Sequence, residues 1–121
     1  MNRLYKIEKL CSETAIDRLF RRDSDGVKSA LCYPLRATWA VNDSRVAKCP
    51  QFLVSIPKKR LRHAVDRVRM RRVVREAYRL NRQLISSEIP VDIAFVYVAS
   101  ERLPYSRVEN ALRKLLAKVN G

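Results

Sequence analysis

Apolar residues in this chain recur on two periods, helical and strand-like, and the period switches several times. Between Ser12 and about Arg22, the residues Ala15, Ile16, Leu19 and Phe20 fall at helical spacing, with Ser12 able to cap the turn. Asp23-Ser24-Asp25-Gly26 breaks that helix. "PLRATWAV" (34–41) then alternates: Leu35, Ala37, Trp39 and Val41 point one way, Arg36 and Thr38 the other. Asn42 to Pro50 is a polar connector. "QFLVSIP" (51–57) alternates through Phe52, Val54 and Ile56 and is ended by Pro57. "PVDIAFVYV" (90–98) is a near-continuous run of β-branched and aromatic residues, the pattern of a strand buried on both faces. Ser106 and Glu109 have the spacing of a capping box. Val108, Ala111, Leu112, Leu115, Leu116 and Val119 after them predict a final amphipathic helix. The order α-β-β-α-β-α is an open α/β sandwich of α+β type, with helices against one small sheet. Residues 1–9 read as a loose tail and 10–121 as a single domain without repeats.

Between the second and third strands lies "KKRLRHAVDRVRMRRVVREAYRLNR" (58–82). It holds eleven cationic side chains against Asp66 and Glu76, a net +9 of the chain's +14. Its period is helical. At about 100° per residue, Arg71, Arg72, Arg75, Arg79 and Arg82 fall within an arc of roughly 100°. Met70, Val73, Val74, Ala77, Leu80 and Leu84 gather opposite. A solvated helix face normally mixes signs so that pairs form along it. This face is almost pure arginine, whose planar fork donates two hydrogen bonds to one phosphate. Such a charge density repels itself unless a polyanion lies beside it, and nucleic acid is the expected polyanion.

The remaining composition removes alternatives. At 121 residues and 47% hydrophobic content the chain buries a core and is no disordered basic tail. Two glycines leave no glycine-rich phosphate loop. No run approaches the roughly 20 apolar residues of a membrane span, and MNRLYKIEKL lacks a signal-peptide core, so a cytoplasmic location is expected. Cys11, Cys32 and Cys49 show no CxxC spacing, and His63 is the one histidine, placed just before the basic helix. They make no convincing zinc site or nucleophile pair. No catalytic constellation emerges.

The stretch "FLVSIPKKRLRHAVDRVRMRRVVREAYRLN" resembles the signature of the protein component of bacterial ribonuclease P. That pattern is a strand ending in S-V-x-K-K, followed by A-V-x-R-N-x-x-K/R-R-x-x-R-E. Ser55, Lys58 and Lys59 match its first part; Ala64, Val65, Arg67, Arg69, Arg71, Arg72, Arg75 and Glu76 match its second. Leu10, Leu19 and Phe20 fit the family's first helix, and "PLRATW" its first strand, so the likeness spans about 10–119. Two positions depart from it. Val68 stands where the family carries Asn, and Ile16 stands where many relatives carry an aromatic.

The resemblance implies a left-handed βαβ crossover, against the strong right-handed default. It implies binding to a large catalytic RNA subunit and to precursor tRNA, and help in removing the 5′ leader. Hydrolysis would be carried by the RNA with its Mg²⁺, and no cofactor by the protein alone. Arg67, Arg69, Arg71, Arg72, Arg75 and Arg79 would then contact the RNA subunit. Phe20, Ser55, Lys58 and Lys59 would line a leader cleft between the first helix and the sheet, with Phe20 as a stacking platform or, alternatively, core. Trp39 and Tyr33 read as packing residues, and Arg36 is open to either role. Three rivals share parts of this profile. A ribosomal RNA-binding module has the same charge. A self-sufficient nuclease needs clustered carboxylates or paired histidines, which are absent from the sequence. A major-groove DNA reader needs Asn or Gln on the basic arc, which has none except near its end.

Overall fold

The structure, a computed structural model, describes Ile16, Leu19 and residues 26–41, 50–84 and 90–120. Its strands are β1 (Lys28–Cys32), β2 (Leu35–Val41), β3 (Gln51–Ser55) and β4 (Val91–Tyr97). Its helices are α1 (Ala64–Asn81), continued by a 3-10 turn at Arg82–Leu84, and α2 (Tyr105–Asn120). Ile16 and Leu19 are helical. The capping role of Ser12, the break at Asp23-Ser24-Asp25 and the side chain of Phe20 lie outside the described residues.

The apolar run at 91–97 does become the central strand. Six of its seven residues are buried. It sits between β2, antiparallel, and β3, parallel, in the sheet order β1-β2-β4-β3. Helix α1 is the crossover that a parallel pair requires. The first strand of the sheet, β1, was not expected from the sequence. It pairs with β2 as a hairpin, Lys28 opposite Trp39 and Cys32 opposite Leu35, turning at Tyr33-Pro34. Lys28, Ser29 and Leu31 are all exposed, so this edge strand lacks an in–out alternation that period two could reveal.

The two sheet faces are dressed differently. On one, Leu35, Ala37, Trp39, Ile93, Phe95 and Tyr97 meet Met70, Val74, Ala77 and Tyr78 of α1 and Val108, Leu112, Leu115 and Leu116 of α2. At its centre Phe52 stacks on Tyr78 with ring centroids 4.0 Å apart, and both present edges to Phe95 at 6.3 and 6.1 Å. Offset and edge contacts of this kind add to simple area burial. The opposite face carries the small residues Ala40 and Ala94, on which Leu19 packs at 3% exposure. Leu80, expected in the apolar stripe, is instead exposed at the end of α1.

The two helices are joined by polar contacts that correct the capping-box reading. α2 starts two residues earlier than that box requires: the Pro104 carbonyl accepts from the amides of Arg107 and Val108. Glu109 therefore points sideways. Its Oε2 accepts from Asn81 Nδ2 at 3.0 Å and from the Tyr105 hydroxyl at 2.9 Å. These bonds hold the Glu109 carboxyl below the usual glutamate range. Burial, with the Glu109 bond second, pushes the Tyr105 hydroxyl up to about 12. Asn81 is buried in this junction and also donates to the Ala77 carbonyl, so it is unavailable for base reading.

Candidate nucleic-acid interface

The His63 carbonyl opens α1 by accepting from the amides of Asp66 and Arg67. Asp66 suits the first turn, where the helix dipole favours a negative charge, and it pairs with Arg102 at 3.4 Å. From there the arginines separate into three groups. Arg69, Arg71, Arg72 and Arg75 are exposed, and among the described residues no carboxylate reaches salt-bridge distance of any of them. Arg79 is half-buried and forms a two-point pair with Glu76, one bond being Nε to Oε2 at 3.0 Å. That pair lowers the Glu76 pKa and raises that of Arg79.

Arg67 does something the sequence does not announce. Its Nη1 donates to the carbonyls of both Leu61 and Arg62 at 2.9 Å, tying the turn before α1 to the helix. Leu61 beside it is core. Arg67→Lys cannot reproduce that geometry from a flexible stem. It is expected to cost about 1–2 kcal/mol of stability for two partly exposed charge-assisted bonds. Arg67→Gln, which removes the charge as well, should leave the salt dependence of RNA binding unchanged. Chemical denaturation and a salt titration check the pair of outcomes; a changed slope with unchanged stability would make Arg67 a phosphate contact after all.

Val68, where the family carries Asn, is 44% exposed, and Val65 is 76% exposed. Both apolar side chains lie among the arginines on the solvent side of the helix.

A second polar surface lies on the sheet face away from both helices. The register places Arg36 opposite Val96 and Val96 opposite Ser55, one row across β2, β4 and β3. The next row, Thr38, Ala94 and Leu53, runs toward the region covered by Leu19. Arg36 is exposed; Ser55, Thr38 and Val96 are half-buried, so the face is open at this end. Lys58 and Lys59 are exposed in the turn just beyond, which is closed by the Pro57 carbonyl accepting from the amides of Arg60 and Leu61. Trp39 is core, as expected, but Tyr33 is not a packing residue: it stands 54% exposed at the β1–β2 turn. Among the described residues no three His, Cys, Asp or Glu side chains converge as a metal site. No helix among them is long and apolar enough to cross a membrane.

A mixed four-stranded sheet, a crossover helix with four arginines unpaired among the described residues and an open polar sheet face define an α+β protein built to bind nucleic-acid phosphates. Comparison with known proteins agrees. The Ribonuclease P family model matches residues 4–120. The ribonuclease P protein component of Porphyromonas gingivalis is 37% identical over 115 residues, covering 87% of this chain and 84% of that protein. In fold, the chain is similar to the RNase P protein of Thermotoga maritima (TM-score 0.75, 22% identity, 94% of this chain and 99% of that one). It is similar also to that of Staphylococcus aureus (TM-score 0.73, 19% identity, 94% and 98%). The chain belongs to the Ribonuclease P family, as an RNA-binding protein component of that endoribonuclease.

Proposed function

We propose that the exposed arginines of α1 seat the protein on the catalytic RNA of ribonuclease P, and that the open sheet face receives the 5′ leader of precursor tRNA. The observation that carries the first part is that Arg69, Arg71, Arg72 and Arg75 are exposed and, among the described residues, have no carboxylate within salt-bridge distance. A protein tolerates such self-repulsion when a polyanion normally relieves it. Arg67 and Arg79 lie on the same side but are engaged within the protein, so they border the contact and do not form its centre. For the leader, Ser55 and Arg36 offer donors on the sheet, and Lys58 and Lys59 continue the cationic path beyond the strand end. Phe20, outside the described residues, is the candidate base-stacking residue for the same leader. Hydrolysis of the leader phosphodiester belongs to the RNA subunit and its Mg²⁺, and the complex works in the cytoplasm. The protein's share is to lower the cost of bringing two polyanions together and to orient the leader.

Reconstitution with the RNA subunit of the same genome, assayed on precursor and mature tRNA, tests this. The holoenzyme is expected to prefer precursor over mature tRNA. Lys58→Gln/Lys59→Gln should narrow that preference while leaving affinity for the RNA subunit near wild type. A preference that survives the double change overturns the leader assignment; failure to bind the RNA subunit overturns the whole reading.

A further inference from the structure

The flank of the molecule formed by β1 and α2 carries a second cationic feature, separate from the arginine face. α2 packs over β1 and β2 while α1 contacts β3, so the two helices address opposite edges of the sheet. At the β1 edge a pocket of about 260 Å³ opens between the hairpin turn and α2, lined by Cys32, Tyr33, Arg107, Asn110, Ala111 and Lys114. Arg107 and Lys114 are seven residues apart, which puts them nearly in line along the helix and about 10 Å apart. Both are exposed, and among the described residues neither has an ion-pair partner. Asn110 lies between them with an amide that can donate and accept. Tyr33 holds its ring open to solvent at the mouth.

No carboxylate lines this pocket. The contrast is with a larger hollow of about 380 Å³ near the start of α1, where Asp66 and Glu101 sit among the cations and Asp66 pairs with Arg102. That hollow is partly neutralised by its two carboxylates and adjoins the Lys58-Lys59 turn already described. The β1 edge pocket has cations and no carboxylate to offset them. Its volume falls below the roughly 300–1,000 Å³ of a small-molecule site, which suits a part of a longer ligand.

The geometry points to a second RNA site here, at which Tyr33 stacks on one unpaired base while Arg107 and Lys114 hold the phosphates on either side of it and Asn110 bonds the base or sugar edge. An aromatic platform between cations is the general means of holding single-stranded nucleic acid without sequence preference. The site lies at the β1 edge of the sheet, opposite the β3 edge that α1 addresses, so it is assigned a different segment of RNA from the one proposed for α1. It does not depend on the function proposed above.

Cys32 provides a local reporter, since its thiol lines the pocket and is half-buried. The full-length protein is treated with iodoacetamide with and without a short oligouridylate at low salt, and labelling of the Cys32 peptide is followed by mass spectrometry. With the oligonucleotide at about four times its Kd or more, Cys32 labelling is expected to slow by about fivefold or more. Arg107→Gln/Lys114→Gln and, separately, Tyr33→Ala should abolish that protection. All three side chains are exposed, so melting temperatures should match wild type. Lys114→Gln alone serves as the milder variant and should weaken protection in part. Protection should persist when Arg69, Arg71, Arg72 and Arg75 are all glutamine, which separates this site from the α1 face. Equal labelling with and without oligonucleotide, or protection that survives the double variant, would overturn the site. So would polyglutamate protecting as well as oligouridylate, which would make the pocket an acidic-peptide site.

Discussion

Replacing Arg69, Arg71, Arg72 and Arg75 together with glutamine is expected to weaken binding to the RNA subunit by about 10²- to 10³-fold near physiological salt. The slope of log affinity against log salt should fall by about 3 in the same variant. The reasoning is counterion release: each phosphate neutralised by a side chain contributes about 0.7–0.9 to that slope. Because the contacts are to phosphates, the loss should be similar for structured RNAs of different sequence. Stability should change little or rise, since these four side chains are exposed and make no ion pair with any described carboxylate. Removing four like charges also relieves repulsion on one helix. A variant that binds more weakly while keeping the wild-type salt slope would place the phosphate contacts elsewhere and return α1 to the role of a solvated surface.

Much of this architecture could be read before any coordinates. β2, β3, β4 and both described helices follow from periodicity because each has one face, or two, in the core. The Leu35–Ala37–Trp39 alternation and the Met70–Val74–Ala77 stripe are buried in the structure, whereas Val41, expected on the same face, is 47% exposed at the strand's end. β1 escaped because an exposed edge strand with a lysine, a serine and an outward leucine carries no periodic signal. The spacing of Ser106 and Glu109 spelled a cap, yet Pro104 opens the helix and Glu109 reaches across to Asn81. Local spelling cannot show which carbonyl begins a turn. The split of the arginines was illegible for a similar reason. Arg67 is distinguished from Arg71 by carbonyl acceptors on a neighbouring turn, and a helical wheel contains no such acceptors. Tyr33, assigned to packing, proves exposed because its position depends on the hairpin that was not foreseen.

Phe95→Ala should be the most damaging single substitution in the sheet. Phe95 is fully buried on β4 and its ring contacts both Phe52 and Tyr78. Truncating a buried Phe costs about 3–5 kcal/mol through lost transfer energy and the residual cavity. That is a large share of the about 5–15 kcal/mol that stabilises a typical domain. Collapse of the cavity is hindered, since it would have to move β3 through Phe52 and α1 through Tyr78 at once. Phe95→Leu keeps most of the volume and should cost less than about half as much. Urea denaturation of the two variants checks this. A loss below about 1 kcal/mol in the alanine variant would show that the three-ring cluster is not a principal source of stability.

The position of β4 between β2 and β3 has a kinetic consequence. β2 and β3 are consecutive in the chain but never touch as neighbours in the sheet; the strand that unites them arrives only after the whole of α1 has been made. Until then the chain holds a local hairpin on one side and an unpaired strand with a self-repelling helix on the other. Insertion of β4 closes the antiparallel and the parallel ladder in one event, with the loop-closure entropy of a long connection still to be overcome. The row Arg36, Val96 and Ser55 exists only after that event, because its middle member is on the inserted strand. A partly folded chain therefore still displays the cationic side of α1 but lacks the assembled sheet row proposed for the leader. Under that proposal, attraction of a polyanion is available before recognition, and the cooperativity of the sheet separates the two.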